Sequence, residues 1–119
     1  MRPQTLAEVA ELTAAGESFD FALRNFLDEF QSRCGAEALS AEPHQLDARL
    51  DAYLAATAES LATEHGFPVP AWAWAESRKL RRPWFALPWA GLRAVLLLES
   101  PAAFRSRNLF VSANALSRA

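Results

Sequence analysis

Three groups of side chains in this 119-residue sequence have types and spacing that could do chemistry: two histidines with a cysteine, several carboxylates, and a run of cations among tryptophans. His44 and His65 stand near opposite ends of one long helical stretch, and neither has a motif around it. A histidine in a last helical turn is favoured there by the helix dipole alone. Cys34 precedes Gly35 with nothing nearby to lower a thiol pKa, so it reads as a small end-of-helix residue and not as a nucleophile. As the single cysteine it also excludes an internal disulfide and an all-cysteine metal site. The carboxylates, Asp47 with Asp51 one turn later and the adjacent Asp28 and Glu29, read as solvated faces. No HExxH, paired CxxC, Walker loop, GxGxxG or nucleophile elbow is present, and four glycines leave little with which to build a phosphate cradle. The sequence thus points to no catalytic residue, no cofactor site and no metal ligand.

The cations are different. Arg78-Lys79-Leu80-Arg81-Arg82 puts four positive charges in five residues, with Trp72 and Trp74 before it and Trp84 and Trp89 after it. Tryptophan and arginine are among the residues most enriched at binding hot spots. They also track phosphates and stack bases. The competing reading is internal: the same arginines pair with acids of the first half and stack on tryptophans as cation–π partners. Pro83 and Pro88 interrupt the chain after the basic run, so no helix-turn-helix is legible. Further on, Phe104 and Phe110 flank Arg105 and Arg107, which suggests aromatic anchors with the arginines turned outward. The expected partner-binding set is therefore Trp72, Trp74, Arg78, Arg81, Arg82, Trp84, Trp89, Arg105 and Arg107.

These side chains must be positioned by helices. Thr5 and Glu8 form a capping box ahead of Leu6, Val9, Ala10 and Thr13, and Gly16 supplies a stop. Ser18 opens a second helix whose stripe is Phe19, Ala22, Leu23, Phe26, Leu27 and Phe30, with Gly35 as its C′ residue. Residues 36–42 read as a loop. The longest helix is expected from about Pro43 to His65 on Leu46, Leu50, Tyr53, Leu54, Thr57, Ala58 and Leu61, with Asp47, Asp51, Glu59 and Glu64 off the stripe. Gly66, Pro68 and Pro70 end it. Residues 71–77 could add two helical turns, Pro88 or Trp89 a further helix through Leu98, and Ser100-Pro101 the cap and first residue of a short one. Leu109-Phe110-Val111 reads as a short extended piece, and Ser112 as the cap of a last turn holding Leu116. Amphipathic helices in series imply an all-α, compact single-domain bundle of five or six helices, with an irregular Pro/Trp-rich C-terminal half.

Charge divides the domain. Residues 1–66 hold 12 acids against 4 arginines, whereas residues 67–119 hold 2 acids against 8 bases, and the net charge is −2. Such a swing means either that the halves face each other electrostatically or that the chain has two kinds of partner. A composition 51% hydrophobic and 22% charged argues for a packed core. No apolar run approaches the ~20 residues of a membrane span. The polar, acidic start lacks a signal core, so a cytoplasmic protein is expected.

The C-terminal half also carries Gly66-Phe67-Pro68-Val69-Pro70-Ala71-Trp72, Pro83-Trp84-Phe85, Leu92-Arg93-Ala94, Glu99-Ser100-Pro101-Ala102-Ala103-Phe104-Arg105 and Arg107-Asn108-Leu109-Phe110-Val111. Over residues 46–119 this texture resembles a small helical bacterial domain of antitoxin-like proteins, sometimes fused to a helix-turn-helix and encoded beside nucleotidyltransferase-type genes. The resemblance implies an antitoxin-like inhibitor or a partner subunit of a toxin–antitoxin type system, whose partner is a cognate toxin or enzyme encoded nearby. The helix-turn-helix of longer members is missing here. The expected mechanism is occlusion of a functional site by residues 72–89 and 99–111, or phosphate mimicry by the acidic half. The alternatives are a nucleic-acid-binding regulator and a structural subunit of a larger assembly.

Overall fold

The chain folds much as its apolar stripes dictate, with the departures concentrated where polar side chains reach across the molecule. A computed structural model describes residues 2–33, 35–86, 93–112 and 116. Among these are six α-helices: α1 (Leu6–Ala14), α2 (Phe19–Arg33), α3 (Glu37–Ser40), α4 (Ala48–His65), α5 (Arg93–Glu99) and α6 (Ala102–Arg105). Two 3₁₀ turns, Ala71–Trp74 and Glu76–Arg78, follow α4. Strands β1 (Trp84–Phe85) and β2 (Leu109–Phe110) pair in parallel, Trp84 opposite Leu109 and Phe85 opposite Phe110. The result is a single all-α globule with a radius of gyration of 13.5 Å.

α1 is closed by the expected capping box: the Glu8 amide donates to Thr5 Oγ1 at 3.0 Å, and the Thr5 amide to the Glu8 carboxylate at 3.2 Å. In α2 the Phe21 amide donates to Ser18 Oγ at 3.3 Å, and Ala22, Leu23, Phe26, Leu27 and Phe30 are buried. α4 ends where Gly66 turns left-handed at φ +75°, a conformation glycine adopts without a Cβ clash, and the Phe67 amide closes back on Ala62 O at 2.8 Å.

α4 starts five residues later than the stripe predicts. Asp47 caps it by accepting from the Leu50 amide at 2.8 Å. Asp51 is buried and not on a solvated face, and its carboxylate takes the Leu46 amide at 2.7 Å. An amide held by that side chain is not free to join the helix ladder, so residues 43–47 stay outside it. Three other segments depart from expectation. A single helical turn, α3, replaces part of the 36–42 loop. Residues 71–78 form two 3₁₀ turns and no α-helix, broken where Ala75 is extended at ψ 141°. Gly35 is not left-handed; its carbonyl instead accepts from the Ala38 amide at the start of α3.

Ser100 does not cap α6. Buried at 3% exposure, it donates to Leu96 O and accepts the Val111 amide at 2.8 Å, joining the end of α5 to the residue after β2. Cys34, the helix opening at Pro88 or Trp89, and most of the turn after Ser112 lie outside the described residues.

The core has two parts sharing α4. One gathers α1, α2 and α3 against Leu54, Ala55, Ala58, Leu61 and Ala62. The other sets Ala52 and Ala56 against Ala103, Phe104, Leu109 and Val111. Thr57, fully buried, returns its hydroxyl to Tyr53 O at 2.8 Å, which lets a polar side chain sit within the helix core. Among the described residues no helix is long and apolar enough to cross a membrane.

Candidate partner-binding surface

The cation-rich half divides into two arginines that hold the fold and others that face water. Arg78, at the end of the second 3₁₀ turn, is fully buried. Its guanidinium donates to Pro43 O at 2.6 Å and to Asp51 O at 3.4 Å. It also lies 3.5 Å from Glu42 and 3.9 Å from Asp51 carboxylate oxygens, and over the Trp72 ring at 4.9 Å. Arg107 is 1% exposed. It donates to Glu59 at 2.5 Å, Ala103 O at 2.8 Å and Ala73 O at 2.8 Å, and sits 5.5 Å from the Trp74 ring centroid.

Charge-assisted bonds and an aromatic face offset the loss of hydration that burial imposes on a cation. The offset is incomplete, because the Nε of each arginine finds no acceptor among the described residues. Arg78 and Arg107, expected on a partner-facing surface, are therefore internal clamps that fasten residues 67–112 to the acidic half. The reason is the supply of acceptors: α4 and the segment before it present Asp51, Glu59, Glu42 and main-chain carbonyls where these two side chains arrive.

The remaining candidates scatter. Trp72 is partly buried, with its indole N–H donated to Leu39 O at 3.0 Å, so it too serves the interior. Trp84 is partly buried against the second core cluster, with Arg49 over its ring at 5.0 Å. Trp89 lies outside the described residues. Trp74 is 52% exposed. Arg81, Arg82 and Arg105 are exposed, and their side chains make no hydrogen bond or ion pair among the described residues.

One of these, Arg81, lines a surface groove. Lys79 and Arg81 line a groove of about 720 Å³ with Glu76, Ser77, Ser106 and Asn108. The groove is built by a short ladder: Leu80 N–H donates to Arg107 O at 3.1 Å, and Trp84 N–H to Asn108 O at 2.9 Å. Asn108 makes the corner at φ +62°, a left-handed conformation that asparagine tolerates, and its side-chain amide holds Leu80 O at 2.8 Å. Trp74 is tied to the same corner through Arg107, and Arg105 adjoins it in sequence.

Lys79 is partly neutralised by Glu76 at 3.7 Å, an exposed pair of little energetic weight. Arg81 and its neighbour Arg82 are not neutralised among the described residues. A groove of this kind, with one cation in excess of its single carboxylate, hydroxyls on its walls and an exposed indole nearby, can receive carboxylates or phosphates flanked by apolar contact. Sequence reasoning passed over Ser77, Lys79, Ser106 and Asn108 as groove residues.

Among the described residues, no three His, Cys, Asp or Glu side chains gather as a metal-binding group. Comparison with protein-family models, curated proteins and solved structures finds no match to this chain.

Proposed function

We propose that this chain is a non-catalytic protein-binding module, an antitoxin-like inhibitor or partner subunit of a small bacterial two-protein system. It receives an acidic partner surface on the groove of Lys79 and Arg81, with Arg82 adjoining and Trp74 beside it. One observation carries the reading: Arg81 and Arg82 keep unpaired charge on the surface while Arg78 and Arg107 are drawn inside by available acids. Acids sufficient to neutralise a cation exist in this molecule, so the exposed pair is free for an external one. A half-exposed indole supplies the apolar anchor that protein interfaces favour. A net charge of −2, with the acids concentrated in the first half, favours a protein partner over a polyanion, which the acidic half would repel. Function follows by occlusion: the docked groove covers a site that the partner needs exposed.

The test is tagged purification from the native host, with and without nuclease, using wild type and the double substitution Arg81→Glu with Arg82→Glu. A stoichiometric, nuclease-insensitive protein partner is expected, lost by the double variant while its melting temperature stays close to wild type. A partner retained by the folded double variant overturns the proposal. A nuclease-sensitive complex whose affinity falls steeply with salt overturns it in favour of a nucleic-acid regulator.

A further inference from the structure

On another part of the surface, α2, α4 and the β pair border an open cleft of about 530 Å³ lined by Asp20, Arg49, Tyr53, Trp84, Ala86, Val111 and Ser112. That volume lies in the ordinary range for small-molecule sites, about 300–1,000 Å³. Arg49 and Tyr53 are one turn apart on α4 and therefore share a helix face. Asp20 comes from the first turn of α2.

The phenol is held in place. Phe19 meets the Tyr53 ring edge-on at 5.6 Å, and Phe104 does so at 5.0 Å. Its hydroxyl has no hydrogen-bond partner among the described residues, although tyrosine hydroxyls in partly buried settings ordinarily find one. Burial, with the nearby Asp20 charge, raises its pKa, and Arg49 opposes the rise, so at neutral pH the group is an intact O–H donor.

The charges on either side form no ion pair with each other. Among the described residues, Arg49 lies over Trp84 at 5.0 Å and makes no ion pair, and Asp20 makes none either. A carboxylate and a guanidinium thus stand near one phenol without meeting each other. Opposite charges held apart around a polar pivot complement a ligand whose own opposite charges are held apart. The apolar part of the wall is Ala86 and the Trp84 edge, backed by the buried Val111, and is suited to a hydrocarbon side chain.

We propose that this cleft binds a free α-amino acid with an apolar side chain: carboxylate on Arg49, ammonium on Asp20, and the Tyr53 hydroxyl bridging the two. This assignment is independent of the protein-binding reading, since none of its residues belongs to the groove of Lys79 and Arg81.

The experiment is titration calorimetry of the full chain with L-leucine, L-methionine and L-phenylalanine, each beside its N-acetyl derivative and its decarboxylated amine. At least one amino acid is expected to bind with a submillimolar Kd. Both analogues are expected to lose about tenfold or more, because each lacks one of the two charges. Asp20→Asn and Arg49→Gln are each expected to reduce affinity by a similar factor. Asp20 is exposed, so its variant remains folded and informative even if Arg49→Gln loosens the Trp84 contact. No heat with any of the three amino acids overturns the proposal. So does equal binding of the N-acetyl form, or Asp20→Asn binding as wild type does.

Discussion

Replacing Arg107 with methionine separates its role as a clamp from any role at the surface. Methionine keeps the unbranched stem under Trp74 and removes the guanidinium. Ala73 O then loses the donor that holds it at 2.8 Å, and a carbonyl left unsatisfied in the interior costs about 1–3 kcal/mol. Ala103 O suffers less, because Ser106 Oγ still donates to it at 3.1 Å. Glu59 loses its cation, but its side chain is 22% exposed and can be rehydrated, so this part falls below the full penalty for an unpaired buried charge.

Together these give a loss of about 3–4 kcal/mol, within the range for breaking a buried pair from one side. For a domain of this size that is a fall in Tm of roughly 10–15 °C. Urea unfolding followed by tryptophan fluorescence measures it, with the slope m checked for constancy. Adding Glu59→Met to Arg107→Met removes the stranded carboxylate and is expected to restore about 1–2 kcal/mol, leaving the cost of Ala73 O. A loss under about 1 kcal/mol for Arg107→Met, or no restoration in the double variant, would refute the clamp.

Two further outcomes concern the core and Tyr53. Phe26 is fully buried, with Phe30 at 5.8 Å between ring centroids, so Phe26→Ala is expected to cost about 3–5 kcal/mol by denaturant titration; a variant as stable as its parent would contradict the packing described. Tyr53 is the single tyrosine of the chain, so tyrosinate absorbance reports it alone. Its folded pKa is raised above 10.0 by burial, so the unfolded chain ionises first and stability falls as pH rises through that value. The titration midpoint is expected above 10 in the native protein and near 10 in denaturant, and identical midpoints would negate the burial argument.

The helices were legible because their information is local. Phe19, Phe26 and Phe30, or Leu50, Leu54 and Leu61, recur at helical spacing, and Thr5 with Glu8 or Gly66 mark ends within a few residues of themselves. The illegible features depend on distant partners. Arg78 and Arg81 look alike in a basic run; one is buried because the Asp51 carbonyl lies 27 positions back, and nothing among the described residues meets the other. Arg107 turns inward toward an acid 48 positions away, although Arg105 two residues earlier is exposed. The pairing of Trp84-Phe85 with Leu109-Phe110 has no local signature, since each strand is two residues long and its partner lies across α5 and α6. The later start of α4 reflects the same kind of event, because Asp51 captures an amide five positions before it.

The face that α4 turns toward the C-terminal half carries Ala52 and Ala56, both without exposure. Alanine offers a methyl group and little else, so apart from the edge-on contact of Tyr53 with Phe104 the apolar adhesion along this face of the helix is thin. A smooth seam of that kind would allow one layer to slip along the other by a turn at small cost. The arginine clamps forbid it: each guanidinium is a planar fork whose acceptors lie at fixed angles, and a displacement of one turn would break the Arg78 bonds to Pro43 O and Asp51 O and the Arg107 bond to Glu59. The alanines bring the layers close, and Arg78 and Arg107 act as dowels that set their alignment. The groove between residues 76–81 and 106–108 inherits its shape from that alignment, so the geometry offered to a partner is fixed by two cations that the partner never touches.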